Sequence, residues 1–282
     1  MKLNNSTAEL YIPDGAAVSE ALARTTALCI AAHHDDIEIM AHGPIAECFG
    51  GAGKWFTGVT VTDGGGSPRS GVYADFSDAK MMEIRAKEQK TAADIGGYSA
   101  QFLLGYKSGE VKEPRNTVLI GELRGIILAS SPEAVYTHNL ADKHDTHVAV
   151  ALNVIRALRG IPADRRPGKV VSLEVWRSLD WLCDEDKVSI DTSARPDLAA
   201  ALLGVYDSQI SGGKRYDLAA TGRRLANATF FASHEADKAE GLTFGLDITR
   251  LVNSDESPEE YIGRYIDKFR DDVYRRVGGL WE

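Results

Sequence analysis

The 282-residue sequence lacks the features that mark membrane-spanning, secreted and nucleic-acid-binding proteins. It has no run of about 18 apolar residues, so we expect no membrane span, and its first residues lack the apolar core of a signal peptide. The three cysteines, Cys29, Cys48 and Cys183, are too scattered for a disulfide framework or a CxxC site. A formal net charge of −9 disfavours broad contacts with nucleic-acid phosphates. These absences favour a cytoplasmic protein with a small-molecule partner, and they leave homo-oligomer formation open.

Strand and helix patterns alternate over roughly 150 residues, which predicts parallel strands with helices on both faces. The predicted strands are residues 25–32, 55–62, 99–106, 134–139 and 169–176. The helices predicted between them are residues 39–49, 77–97, 116–130 and 145–160. Three more helices are predicted in the last third, at 195–210, 216–231 and 258–279. We therefore expect one α/β domain over residues 1–282, with a Rossmann-like, mostly parallel sheet in a core of about 25–180 and a helical C-terminal elaboration over 181–282.

Charged residues and histidines gather where three of these strands end. HHDD (residues 33–36) follows the first strand, DGGG (63–66) follows the second, and THNLADKHDTH (137–147) belongs to the end of the fourth. Ligands of parallel sheets sit outside the carboxyl ends of the strands, so we expect these loops to meet. Either histidine cluster alone is typical of a solvated turn. Two of them at such positions favour a site that holds a cation.

The side chains in these clusters suit a divalent metal. His33 and Asp36 stand three positions apart in a turn, and the HxxH spacing of His144 and His147 puts both on one side of a helix. Two histidines and a carboxylate, with a fourth position left to water, are a common catalytic zinc arrangement, and the same ligand types suit Fe²⁺. A metal lowers the pKa of its water from about 15.7 to about 7. The resulting hydroxide needs a base and an oxyanion donor, and both clusters hold spare groups for these tasks.

Nucleotide binding is poorly supported by the same sequence. GGAGKW has Trp55 where a phosphate-binding loop needs serine or threonine, and Cys48 where it needs its first glycine. A predicted strand follows this segment, whereas a helix is required. No GxGxxG follows the first strand either, because residues 33–36 occupy that turn.

Two motifs resemble those of the PIG-L/LmbE-like zinc-dependent N-deacetylases. The family motif A-H-P-D-D-x-E, after the first strand, corresponds to Ala32–Glu38, and a second motif close to D-x-H-x-D-H corresponds to Asp142–His147. Between them, in the family's order, stand a T-D-G turn at 62–64, an R-x-x-E helix at 85–88 and an L-G-Y turn at 104–109. The resemblance covers roughly residues 25–160 and implies a Rossmann-like deacetylase.

The resemblance also implies a role for each matched residue. His33, Asp36 and His147 would be the metal ligands, with Zn²⁺ as the expected ion and Fe²⁺ as the alternative. Asp35 would be the general base and then the proton donor to the leaving amine, and His144 would stabilise the oxyanion. The substrate would be an N-acetyl amino sugar or its glycoside.

Three departures from the family pattern bear on these expectations. His34 replaces the usual proline, which should change the rigidity of the turn more than the chemistry. Thr146 replaces an aspartate that orients the catalytic imidazole, so Asp145 or Asp142 is expected to orient His144 instead. Ser108 replaces an acidic residue that the family uses in sugar recognition, which puts the usual substrate in doubt.

Several alternatives stay open on the sequence alone. Arg85 is implied as a sugar contact, although it and Glu88 could equally form an exposed helical face. The reaction could be hydrolysis of an N-acyl group on a non-sugar scaffold, or the protein could be a metal- or ligand-binding relative without turnover. His138 is interpreted as a strand-end histidine, with a supporting position behind the metal ligands as the alternative. Core or interface positions are expected for Tyr136, Trp176 and Trp181, with a sugar-stacking surface as the alternative. His42 and His234 are interpreted as ordinary histidines.

Overall fold

A computed structural model describes residues 2–51 and 53–281 of the chain. Within these residues the strands are β1 (Glu9–Tyr11), β2 (Ala27–Ala31), β3 (Phe56–Thr62), β4 (Ala100–Tyr106), β5 (Ala134–His138), β6 (Lys169–Leu173), β7 (Val188–Asp191) and β8 (Leu242–Asp247). The α-helices are α1 (Val18–Ala23), α2 (Asp36–Met40), α3 (His42–Cys48), α4 (Asp78–Gly96), α5 (Ser108–Lys112), α6 (Thr117–Ser130), α7 (Asp145–Arg159), α8 (Pro196–Gly204), α9 (Asp207–Ile210), α10 (Tyr216–Phe230), α11 (Thr249–Val252) and α12 (Pro258–Trp281). None of these helices is both long enough and apolar enough to cross a bilayer.

The strands form one mostly parallel sheet in the order β1-β4-β3-β2-β5-β6-β8-β7. The five central strands, from β4 to β6, are parallel. Antiparallel strands lie at both edges, β1 beside β4 and the β7–β8 pair beside β6. The chain runs from β2 to β3 and β4 on one side, and then crosses back to place β5 on the other side of β2. The sheet therefore has a topological switch point between β2 and β5, where ligands bind in folds of this kind.

Helices cover both faces of the sheet, as predicted, because successive side chains of a buried strand point to opposite faces. In β2, Leu28 and Ile30 join a core with side chains of α6 and α7, whereas Cys29 and Ala31 join a second core with side chains of α3, α4 and α8. All the residues of β2 and β3 are buried. The near-continuous apolar runs that predicted these strands are thus explained by burial on two faces.

The predicted helix ends have local causes that the structure confirms. The Ser77 hydroxyl accepts the N–H of Lys80 at the start of α4, and Gly97 ends this helix with a left-handed φ of 60°. The Asn116 side chain likewise accepts the N–H of Leu119 at the start of α6.

The structure corrects the expected elements in three places. The predicted helix over 39–49 is two short helices, α2 and α3, because Pro44 has no N–H to continue the first one. The lead-in residues before 25 contribute β1 and α1. The C-terminal elaboration contains its predicted helices, with 195–210 divided into α8 and α9, but it also adds β7 and β8 to the sheet. These strands were missed because each is short and pairs antiparallel with a distant segment.

Candidate metal centre

The two histidine clusters meet at the switch point of the sheet. His33 and Asp36 follow the carboxyl end of β2, and His144 and His147 lie at the start of α7, after β5. Because β2 and β5 are adjacent and parallel, the loops that leave them are neighbours. The register that pairs Ile30 with Thr137 therefore brings side chains more than 100 residues apart into contact.

Three predicted ligands place one atom each around a common point. His33 Nδ1 lies 3.1 Å from His147 Nε2 and 3.1 Å from Asp36 Oδ2. His147 Nε2 lies 3.3 Å from the same Asp36 oxygen. Ligand atoms that each lie about 2.0–2.2 Å from one zinc ion stand at such separations from each other. The two imidazoles and the carboxylate therefore fit a divalent metal by both chemistry and spacing.

Asp142 orients several parts of this centre. Its Oδ2 lies 3.4 Å from His147 Nδ1 and accepts the backbone N–H of Trp176 at 3.1 Å. Its Oδ1 accepts the backbone N–H of His144 at 3.0 Å. A carboxylate at Nδ1 directs the Nε2 lone pair of His147 toward the other ligands, which is the usual arrangement behind a metal-binding histidine.

The expectation that Asp145 or Asp142 orients the His144 imidazole is not met. Asp145 is exposed, and Asp142 contacts the backbone of His144 rather than its ring. Instead, the backbone N–H of Thr146 donates to His144 Nδ1 at 3.3 Å. We assign the proton of the neutral ring to Nε2 on this geometry. A backbone donor at the first turn of α7 thus replaces the carboxylate that the sequence led us to expect.

The turn that carries Asp35 has a strained backbone. Asp35 has φ 90° and ψ −30°, a left-handed conformation that is costly for a residue with a Cβ atom. Its N–H points at Gln89 Oε1, 3.4 Å away, and the Gln89 amide donates in turn to Glu38 at 2.9 Å. Glu38 also accepts the hydroxyls of Tyr98 and Tyr206. A fully buried polar network therefore holds the turn in this conformation.

Arg85 is buried and bound to the same turn. Its guanidinium donates to Asp35 Oδ2 at 3.2 Å, to the carbonyl of His34 and to the hydroxyl of Ser67. The interpretation of Arg85 and Glu88 as an exposed helical face is wrong, since both are buried. Glu88 accepts two hydrogen bonds from Ser208, one from its N–H and one from its hydroxyl.

Burial and neighbouring charges shift the pKa values of the clustered groups. Burial raises the pKa of Asp35 well above its usual range, although Arg85 opposes the shift. Burial alone would also raise the pKa of Asp36, but the facing imidazoles of His147 and His138 hold it well below its usual range. Burial disfavours a charged His147, yet the Asp36 and Asp142 carboxylates raise its pKa to about 9. A metal ion would therefore have to displace a proton from this imidazole.

His144 differs from His147 in its electrostatics. Burial and the neighbouring His147 lower its pKa below the usual range. Its ring stacks on that of His147 with centroids 4.5 Å apart, at the wall of the cavity. His144 is therefore a neutral imidazole whose Nε2–H is free to act as a hydrogen-bond donor.

The structure also places two residues whose roles the sequence left open, His138 and Trp176. His138, interpreted as a strand-end histidine, accepts the N–H of Ala32 at Nε2 and stacks on His147 with centroids 4.0 Å apart. Because Nε2 is occupied in this way, His138 supports the ligands rather than joining them. The three aromatic residues expected in the core all pack against it, and Trp176 also lies beside His144, with ring centroids 5.8 Å apart.

A cavity of about 390 Å³ opens onto this cluster. Five of the six residues expected in the site line it together with Thr146, Trp176 and Tyr216, namely His33, Asp35, Asp36, Arg85 and His144. His147 lies behind them, fully buried. A larger cavity of about 770 Å³, lined by Lys187, Asp191 and Phe231, contains none of the six. The smaller cavity is therefore the candidate active site.

The comparisons with known proteins agree with this fold and position. Residues 28–158 match the family model described as PIG-L: GlcNAc-PI de-N-acetylase. A search of curated proteins gave no match. The segment 28–158 is thus a PIG-L family domain, as its motifs indicated.

Solved structures show the same fold at low identity. N,N'-diacetylchitobiose deacetylase from Pyrococcus horikoshii is 17% identical over 78% of this chain and 83% of its own, with a TM-score of 0.60. GalB, the 4-carboxy-2-hydroxymuconate hydratase from Pseudomonas putida, is 18% identical over 79% of this chain and 96% of its own, with a TM-score of 0.61. The conserved protein TT1542 from Thermus thermophilus is 19% identical over 78% of this chain and 93% of its own, with a TM-score of 0.62. At these identities the likeness establishes the fold alone.

Proposed function

We propose that the protein is a metal-dependent N-deacetylase that hydrolyses the N-acyl amide of an amino sugar, a glycoside of one, or another small amine. The observation that carries this proposal is the meeting of His33 Nδ1, Asp36 Oδ2 and His147 Nε2 within 3.1–3.3 Å, beside Asp35 and His144. The PIG-L domain supports the same reaction.

In this proposal Zn²⁺, or Fe²⁺ as the alternative, is held by His33, Asp36 and His147. A bound ion of this kind acidifies water and polarises an acyl carbonyl. Asp35 lines the cavity and takes the proton of the attacking water. Its raised pKa allows it to keep that proton and to pass it to the amine nitrogen as the C–N bond breaks, releasing the carboxylic acid and the free amine.

His144 completes the proposed mechanism as the oxyanion donor. Because Thr146 donates to Nδ1, the Nε2–H of the neutral ring can donate to the oxygen that becomes negative in the tetrahedral state. Arg85 touches Asp35 directly, so we assign it the task of holding this carboxylate in place, in addition to any contact with substrate.

Metal content tests the ligand set. We expect near-stoichiometric zinc or iron by mass spectrometry in the purified protein, and loss of the metal from the His147→Ala variant. His234→Ala is the matched control, because His234 is exposed and lies outside the cluster. A metal content that is unchanged in His147→Ala would remove the central assignment.

Release of acetate tests the reaction and its alternatives. N-acetylglucosamine, its glycosides and N-acetylated amines without a sugar should be assayed with protein loaded anaerobically with Zn²⁺ or Fe²⁺. Turnover of only the non-sugar amides would favour a hydrolase that acts on a non-sugar scaffold. Stoichiometric metal without hydrolysis of any acyl amide would instead indicate a binding protein. Asp35→Asn should keep the metal and lose the activity.

A further inference from the structure

Trp176 is the centre of an unusual group of cations at the mouth of the candidate active site. Its half-buried indole lies beside His144, and its backbone is fixed by Asp142. The ammonium groups of Lys143 and Lys214 lie 5.8 Å and 5.2 Å from the centroid of this one ring. These lysines come from the loop after β5 and from the segment before α10, so two separate parts of the chain bring positive charge to the same place.

Neither lysine is neutralised by the protein. Among the described residues, no carboxylate oxygen lies within 4.0 Å of the ammonium group of Lys143 or Lys214. The same holds for Lys112, which lines the cavity. Asp63 also lines it, and its Oδ1 accepts the N–H of Gly65. Lys112 and Lys214 thus line the cavity, and Lys143 lies at Trp176, without an ion pair among the described residues.

The other acidic groups of the cavity are engaged elsewhere. Asp35 is paired with Arg85, and Asp36 faces the imidazoles of the metal cluster. Arg215, which lines the adjoining cavity with Lys214, is paired with Asp217. The unpaired lysines are therefore available to bind a ligand.

Two ammonium groups on one indole ring repel each other, and a cation–π contact is worth only about 0.5–2 kcal/mol. An anion between them would relieve this repulsion and form charge-assisted hydrogen bonds, which are stronger than neutral ones.

We propose that the substrate carries an anionic group, a carboxylate or a phosphate, that binds between Lys143 and Lys214 against Trp176. Its N-acyl group then faces Asp35 and His144. This inference rests on the proposed function for the reaction itself, and it adds the chemical class of the substrate. The two lysines determine specificity and take no part in bond breaking.

Matched ligands test this assignment. Binding of N-acetylglucosamine, N-acetylglucosamine 6-phosphate and N-acetylmuramic acid to the zinc-loaded protein should be measured by calorimetry at low and high salt. We expect at least one anionic ligand to bind about tenfold or more tightly than the neutral sugar, equivalent to about 1.4 kcal/mol. The preference should weaken at high salt, because the charges are near the surface. The phosphate and the carboxylate ligands distinguish the two anions.

The variants locate the preference. In the Lys143→Gln/Lys214→Gln double variant, the anionic ligands should bind no better than the neutral sugar, whose own affinity should be retained. Lys54→Gln is the control, because Lys54 is exposed before β3, at the opposite end of the strands. Equal binding of all three ligands to the unmodified protein, or a preference that survives the double variant, would overturn the inference.

Binding and turnover separate this inference from the proposed function. An anion preference without acetate release from any ligand would refute the deacetylase function and keep the anion subsite. Acetate release at equal kcat/KM from neutral and anionic sugars, with equal binding, would support the deacetylase function and refute the anion subsite. If the deacetylase function and the anion subsite are both correct, the double substitution should raise KM for the anionic substrate far more than it lowers kcat.

Discussion

Replacing Glu38 tests the network that holds the turn carrying Asp35. Its carboxylate accepts three buried hydrogen bonds, from Tyr206 at 2.6 Å, Tyr98 at 2.7 Å and Gln89 at 2.9 Å. Each buried donor left without a partner costs about 1–3 kcal/mol. We therefore expect Glu38→Ala to lower the free energy of unfolding by about 3–9 kcal/mol, a large part of the ~5–15 kcal/mol typical of a folded domain.

Glu38→Gln should be milder because the amide oxygen still accepts hydrogen bonds while its NH₂ group displaces one donor. Its expected cost is about 1–3 kcal/mol. Urea unfolding followed by circular dichroism measures both variants. Glu20→Ala is the control, because Glu20 is exposed on α1 and should change stability by less than about 0.5 kcal/mol. If Glu38→Ala stayed within about 1 kcal/mol of this control, the reasoning from stranded donors would be refuted.

Three further substitutions test separate parts of the site. His144→Ala should slow acetate release by about 10²–10³-fold, as loss of an oxyanion donor does, and keep its metal; metal loss would contradict the assigned role. Asp142→Ala should weaken metal binding about 10–100-fold, measured by competition with a chelating dye. The control Asp145→Ala should leave metal binding unchanged. Equal effects of the two substitutions would contradict the orienting role of Asp142. Gly64→Ala should destabilise the fold by more than about 1 kcal/mol in urea unfolding, since φ is +77° and the new Cβ would lie 3.0 Å from a buried imidazole. Gly66→Ala meets nothing within 4 Å and should be nearly neutral; similar losses at both glycines would refute this account.

Much of the sheet could be predicted because its central strands are buried on both faces. Runs such as residues 55–62 have few alternatives to a parallel strand, and the polar residues that follow them must then lie at one edge. The convergence of His33, Asp36 and His147 follows from this topology and the two motifs. The edge strands β7 and β8 could not be predicted in the same way, since their pairing depends on partners far along the chain.

The supporting contacts of the site depend on packing that no local pattern records. Asp142 receives the backbone N–H of a residue 34 positions later, Trp176. His138 takes the N–H of Ala32 across 106 residues. Thr146 acts through its backbone, which every residue except proline possesses, so its side chain gave no sign of this contact.

Part of the cavity wall comes from outside the segment that holds the ligand cluster. The residues proposed to hold the metal all lie within the segment 28–158 that matches the PIG-L family model, whereas Trp176, Lys214 and Tyr216 lie beyond it. Evolution could therefore remodel the C-terminal third to admit new compounds and leave the proposed metal ligands untouched. Exchange of residues 174–216 between related proteins would then change the contacts made by Trp176, Lys214 and Tyr216 without changing those ligands.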